Sequence, residues 1–106
     1  MQPESAPASP LMFTVYRITD KDKAIYVGYS SNVNRRCKEH NYHLNKGTKK
    51  ELYDYLRKKK VSTIVLESLM EFKTKTQAKQ FECLLILMYH FAGHRTLQKI
   101  PSISDR

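Results

Sequence analysis

The chain has 106 residues, 41% hydrophobic and 10% aromatic, which is enough for one modest core and too little for a second domain. Nineteen Lys and Arg against ten Asp and Glu leave a formal charge of +9, an imbalance that points to a polyanionic partner, nucleic acid first. Wholesale disorder and a disulfide scaffold are both excluded, because Cys37 and Cys83 have no CxxC spacing and read as reduced core thiols among apolar neighbours.

The segment Met1–Pro10 holds three of the four prolines and no large apolar residue after the initiator, so residues 1–11 are expected to form a disordered tail. The start lacks the features of a signal peptide, and no apolar run approaches the ~20 residues of a bilayer span, so a cytoplasmic protein without membrane contact is expected. Phe13 to Ile18 and Ala24 to Gly28 are β-branched or aromatic, and the polar Thr19 to Lys23 between them is turn material, which predicts a β-hairpin. Residues two apart share a strand face, so Phe13 pairs with Val15 and Ile25 with Val27, while Tyr16 and Tyr26 fall on the opposite side. If the apolar pairs face the core together, both tyrosines project from the other face. Each tyrosine alone reads equally as a strand residue packed under a helix. Gly28 reads either as a strand terminator or as a place where the backbone leaves the strand and a helix or a phosphate approaches closely.

Ser30 to Asn32 offers helix caps, and Val33, Cys37 and Leu44 have helical spacing up to Gly47. On that helix Arg36 and His40 are four residues apart and share a face, where they can reach a common anion or form part of a solvated basic surface. Lys49 to Lys60, with Leu52, Tyr53 and Leu56 in a stripe, predicts a second short helix with a basic end, and Val61 to Leu69 predicts a strand. Thr74 and Gln77 fit a capping box, followed by the stripe Ala78, Phe81, Leu85, Met88 and Tyr89 of a long last helix. Glu82 interrupts that stripe and points toward the protein, where a carboxylate needs a partner, either an Arg such as Arg36 or a divalent cation. After Phe91 the chain reads as irregular, ending in a loosely packed tail over 101–106.

Tyr16 and Tyr26 on the hairpin, Arg36 and His40 on the next helix and Glu82 on the last one, taken in order, resemble the GIY-YIG nuclease superfamily. The first motif stands here as Thr14-Val-Tyr16 and the second as Tyr26-Val-Gly28, with Arg36 ten and His40 fourteen residues beyond Tyr26, similar to the catalytic domains of group I intron homing endonucleases. The resemblance covers about Phe13 to Tyr89. It implies an α/β (α+β) domain over residues 12–95, a small three-stranded and mainly antiparallel sheet flanked by helices, with a C-terminal extension over 96–106. It also implies phosphodiester hydrolysis with one divalent cation, Mg²⁺ or Mn²⁺. Carried over residue by residue, Tyr16 would be the general base or orient the attacking water, and Tyr26 would position water and phosphate. Arg36 would bind the scissile phosphate, His40 would assist proton transfer, and Glu82 would hold the metal.

The chemistry itself asks for such a set: an activated water, a countercharge for the pentacovalent phosphorus and neutralisation of the leaving alkoxide. A tyrosine base has an ordinary pKa of about 10, so the expectation is that Arg36 and the cation draw Tyr16 toward phenolate. Thr14 replaces the first glycine of the motif, at a position that varies in the family. Leu97-Gln98 stands where the family often has Leu-Asn, so Gln98 is expected to substitute, and Lys49 occupies the place of a histidine of the homing relatives. Gly28, Arg35, Lys49 and Gln98 are the expected substrate contacts, helped by the basic segments 35–38, 46–50 and 57–60. The partner is then DNA, bound by charge with little base readout, by a monomer or a homodimer. Two other classes compete: a catalytically silent nucleic-acid-binding module of the same fold, and a basic factor for an acidic protein.

Overall fold

The computed structural model describes residues 11–94 and 96–98. Its elements run β1 (Phe13–Asp20), β2 (Lys23–Ser30), α1 (Val33–Lys46), α2 (Glu51–Lys58), β3 (Glu67–Phe72) and α3 (Lys75–Phe91). β1 is the central strand and pairs antiparallel with both neighbours in the order β2-β1-β3, so the fold is the expected α+β sheet with three helices. The expected tails over 1–10 and 101–106 lie outside the described residues. Among the described residues no helix is long and apolar enough to cross a membrane. Cys37 and Cys83 are free, half-buried thiols.

The hairpin is longer and its turn tighter than the sequence suggests. Only Lys21 and Asp22 lie between the strands, with φ of 50° and 68°, the left-handed geometry of a two-residue turn whose twist matches the strands. A register shift follows: Ile18 faces Tyr26 but Thr19 faces Ala24, so Ile25 is the extra residue of a bulge. The bulge overturns the expected pairing of Ile25 with Val27 on one face. Ile25 packs instead with Ile18, Leu44, Leu52, Leu56 and Ile64, whereas Val27 packs with Val15, Ala78 and Ile86. The sheet thus has two covered faces, α1 and α2 over one and α3 over the other, and each fully buried Leu or Ile contributes about 1.5–3 kcal/mol. Tyr16 and Tyr26 do share a face, and that face lies beneath α1 and α2.

Helix α1 starts at the Asn32 cap, whose side chain accepts from the Arg35 amide, and stops at Gly47, left-handed at φ 92°. Arg57 on α2 ties the two helices together, donating to the carbonyls of Leu44 (2.9 Å) and Thr48 (2.6 Å) while pairing with Asp54 at 2.6 Å. These bonds spend the guanidinium on structure, so of the basic segment 57–60 the lysines alone are left to meet a substrate.

The expected strand over Val61 to Leu69 begins only at Glu67. The backbone of Ile64 is bound edge-on by α1: its amide donates to the Asn41 side-chain oxygen at 2.7 Å, and its carbonyl accepts from the Asn41 amide at 2.9 Å. β-branched residues without a partner strand remain irregular, and here a helix side chain took the ladder's place. In α3, capped by Thr74 accepting from the Gln77 amide, Met88 of the expected stripe is 64% exposed, and the buried positions are Ala78 and Ile86. Glu82 is on that sheet-facing stripe, one turn from the buried Ala78 and one from Ile86.

After α3 the chain folds back along the free edge of β2. The Leu97 amide donates to the Ile25 carbonyl (2.7 Å), the Ala24 amide donates to His94 Nδ1 (3.0 Å), and the Gln98 amide group pairs with both backbone groups of Val27 (2.7 and 2.8 Å). His94, Leu97 and Gln98 are therefore fastened to the sheet.

Candidate active site

The register of the first hairpin places Gly28 directly opposite Tyr16. A Cβ at Gly28 would sit 2.6 Å from Tyr16 Oη and 2.7 Å from its Cζ, so the tyrosine ring lies across the glycine backbone. Glycine costs a strand interior about 0.5–1 kcal/mol, and here it makes room for a functional side chain. The strand continues to Ser30, so the expected departure of the backbone at Gly28 does not occur, and the volume its side chain would need is held by Tyr16.

Above this pair lies His40 from α1. Tyr16 and His40 are each 1% exposed, with Tyr16 Oη 2.9 Å from His40 Nε2, and Tyr53 Oη from α2 lies 2.9 Å from His40 Nδ1. Tyr26 packs edge-on to the imidazole with ring centroids 5.5 Å apart. Arg36, one turn before His40, pairs with Glu39 at 3.0 Å, and its positive charge acts on the Tyr16 phenol. Spacing put Arg36 and His40 on one helix face, and the fold turns that face onto the two tyrosines.

Burial governs the protonation of this cluster. It pulls the His40 pKa down to about 4, with Arg36 adding to the effect, so the imidazole is neutral at pH 7. Burial also pushes the Tyr16 phenol above its ordinary pKa, with Tyr26 adding and Arg36 opposing. Arg36 by itself does not draw Tyr16 toward phenolate, because burial outweighs the guanidinium. Burial raises Tyr53 as well. The resting state is a neutral phenol, a neutral imidazole and a second neutral phenol in series.

His40 and Tyr53 line a cleft of about 310 Å³ together with Tyr26, Arg36, Lys50, Leu97 and Gln98, and Tyr16 lies buried beside His40. Of the expected substrate contacts, Arg35 is exposed and pairs with Glu39 at 3.6 Å, and Lys49 is exposed beside the cleft-lining Lys50. Gln98 lines the cleft, but its amide is spent on Val27. Glu82 stands across the sheet on α3, half-buried, and its pKa is raised by burial against the opposing charge of Lys79. Arg36 pairs with Glu39 and leaves Glu82 alone; among the described residues no hydrogen bond or ion pair engages this carboxylate. Nor does any group of three or more His, Cys, Asp or Glu gather into a metal cage among them.

Tyr53 lines the cleft beside His40 and is missing from the site expected on sequence. Tyr53 reads there as part of the apolar stripe of α2, although a hydroxyl on a buried stripe needs a partner, which is the available signal. Lys50, from the basic segment 46–50 expected to contact phosphates, also lines the cleft. No curated protein and no solved structure matches the chain. The stretch that carries every one of these groups except Leu97 and Gln98, residues 12–94, matches the family model described as GIY-YIG catalytic domain, and the chain belongs to that family.

Proposed function

We propose that the protein is a metal-dependent DNA endonuclease of low sequence specificity, in which Tyr16 and His40 activate water and Arg36 binds the scissile phosphate. Family membership indicates a nuclease, a hydrolase acting on nucleic acid, and GIY-YIG nucleases generally depend on divalent metal. The observation that supports the finer reading is the meeting of a guanidinium, the strand tyrosine Tyr26 and a neutral imidazole at one cleft, with Tyr16 hydrogen-bonded to that imidazole. Arg36 offers forked donors to the phosphate oxygens where charge develops. Tyr16 orients the attacking water, with neutral His40 behind it as a proton acceptor, and Tyr26 holds water and phosphate in line. Gly28 acts through Tyr16 by keeping its ring in place, and Gln98 acts as a wall fixed to β2. Arg35, Lys49 and Lys50 bind neighbouring phosphates by charge.

Glu82 fits a cation. A half-buried carboxylate whose charge is disfavoured by burial, and which no described residue engages, gains most from a divalent partner. A hard oxygen ligand of this kind suits Mg²⁺ or Mn²⁺, which keep several waters. An ion held by Glu82 would supply countercharge to the phosphate and the leaving oxygen of a substrate that wraps the sheet edge from the cleft to α3.

The test uses supercoiled plasmid and a single-stranded circle at low salt with Mg²⁺, Mn²⁺ or EDTA, for the wild-type chain, Arg36→Ala and Glu82→Ala. Cutting that requires the metal and falls about 10²-fold or more in both variants is expected, as for loss of a transition-state charge donor. Binding in EDTA with no cutting under either metal would replace this reading with the silent DNA-binding module.

A further inference from the structure

The hydrogen bonds behind the cleft run in one direction, and a count of protons fixes it. Tyr16 is 1% exposed, so its O–H has to find an acceptor inside the protein. The Tyr16 proton then has one acceptor among the described residues, His40 Nε2 at 2.9 Å. A neutral imidazole carries a single proton; with Nε2 accepting, it resides on Nδ1 and donates to Tyr53 Oη, also at 2.9 Å. The reverse polarity would point the Nε2 proton at Tyr16 Oη and leave the buried Tyr16 O–H with no acceptor. In the favoured polarity the proton left over belongs to Tyr53, whose side chain lines the cleft, where solvent can accept it.

We propose that Tyr53 is a positioning residue: by accepting the Nδ1 proton of His40 it fixes the tautomer in which Nε2 stands ready to take the proton of Tyr16. Which nitrogen of an imidazole is free is set by the bond the other one makes. The consequence for catalysis rests on the nuclease reading above. As the water oxygen bonds to phosphorus, one water proton passes to Tyr16 Oη while the Tyr16 proton passes to His40 Nε2. The phosphorus–oxygen bond to the leaving group breaks, and that oxygen takes a proton from solvent. His40 afterwards returns its proton through Tyr16 to solvent. No phenolate accumulates at any stage, so a phenol pushed up by burial is no obstacle to this route.

The test is the nitrogen-15 spectrum of the histidine side chains in the full chain at pH 7, for wild type and Tyr53→Phe, beside plasmid cleavage by both. Phenylalanine keeps the ring that stacks on His43 at 5.8 Å, so the fold is expected to persist. The wild type should show His40 protonated at Nδ1 and bare at Nε2. Tyr53→Phe should move protonation toward Nε2 and lower kcat about tenfold with KM unchanged, in line with loss of an outer hydrogen-bond partner of a functional imidazole. Protonated Nε2 in the wild type overturns the proposal, as does an unchanged tautomer in Tyr53→Phe. A wild-type protein that cuts no DNA removes the nuclease reading, and the spectra still decide whether Tyr53 holds His40. If Tyr53→Phe does not fold, the wild-type spectrum alone decides.

Discussion

Gly28 faces Tyr16 across the hairpin ladder, and the tyrosine ring occupies the volume a side chain would need, 2.6 Å from the position of a methyl group. Because Tyr16 is enclosed by the sheet below and His40 above, Gly28→Ala must move the ring or the strand. Overpacking of this kind costs about 1–3 kcal/mol. Plasmid nicking should fall at least tenfold in Gly28→Ala and the melting temperature by several degrees; retention of both would show that the contact is dispensable. His40 makes a second prediction at this scale. Its folded pKa of about 4 lies below the ordinary value of 6.5, so the folded state binds fewer protons than the unfolded one between those values. Stability should therefore be full above pH 6.5 and decline as pH falls toward 4, and thermal melts of His40→Gln should show a shallower decline over that window. Arg36 and His40 were legible in the sequence because helical spacing is local. The state of Tyr16 was not, since it depends on how deeply α1 and α2 cover the sheet, a property no neighbouring residue encodes.

The elements were legible where a local device fixes them. Asn32, Gly47 and Thr74 cap their helices as their side chains or lack of one predict. The failures occurred where a distant group decided: Asn41 captured Ile64 and delayed β3, and the bulge at Ile25 moved a residue from one core to the other. Those events need the tertiary fold, and the alternation of apolar residues does not report them. The turn at Lys21 and Asp22 offers a test of local strain, since both residues are left-handed and neither is glycine. Combining Lys21→Asn with Asp22→Gly installs the pair this turn geometry favours, and should stabilise the chain by about 0.5–1 kcal/mol without changing cleavage. Chemical denaturation of the double variant beside the wild type measures it. A loss of stability would mean that the Lys21 or Asp22 side chain makes a contribution larger than the relief of strain.

At the scale of the whole molecule, the +9 charge divides into cations that hold the fold and cations that face solvent. Arg17 is spent on Glu67 and Tyr89, and Arg57 on the end of α1, while Lys49 and Lys50 are exposed at the cleft. DNA affinity measured in EDTA between about 50 and 200 mM salt should follow a straight line in log–log form, and Lys50→Ala should reduce its slope by about one. Arg57→Ala should leave the slope unchanged and lower the melting temperature instead. If the two variants exchange effects, the division is wrong. The strap along β2 bears on the whole molecule too. The family match ends at residue 94, yet hydrogen bonds continue to Leu97 and Gln98. A chain shortened to the border drawn by likeness would keep every catalytic candidate and still bare the Ile25 carbonyl and both backbone groups of Val27. An uncovered strand edge recruits other strands. Such a shortened protein should assemble with itself as its concentration rises, so for this chain the smallest well-behaved unit is larger than the family's outline.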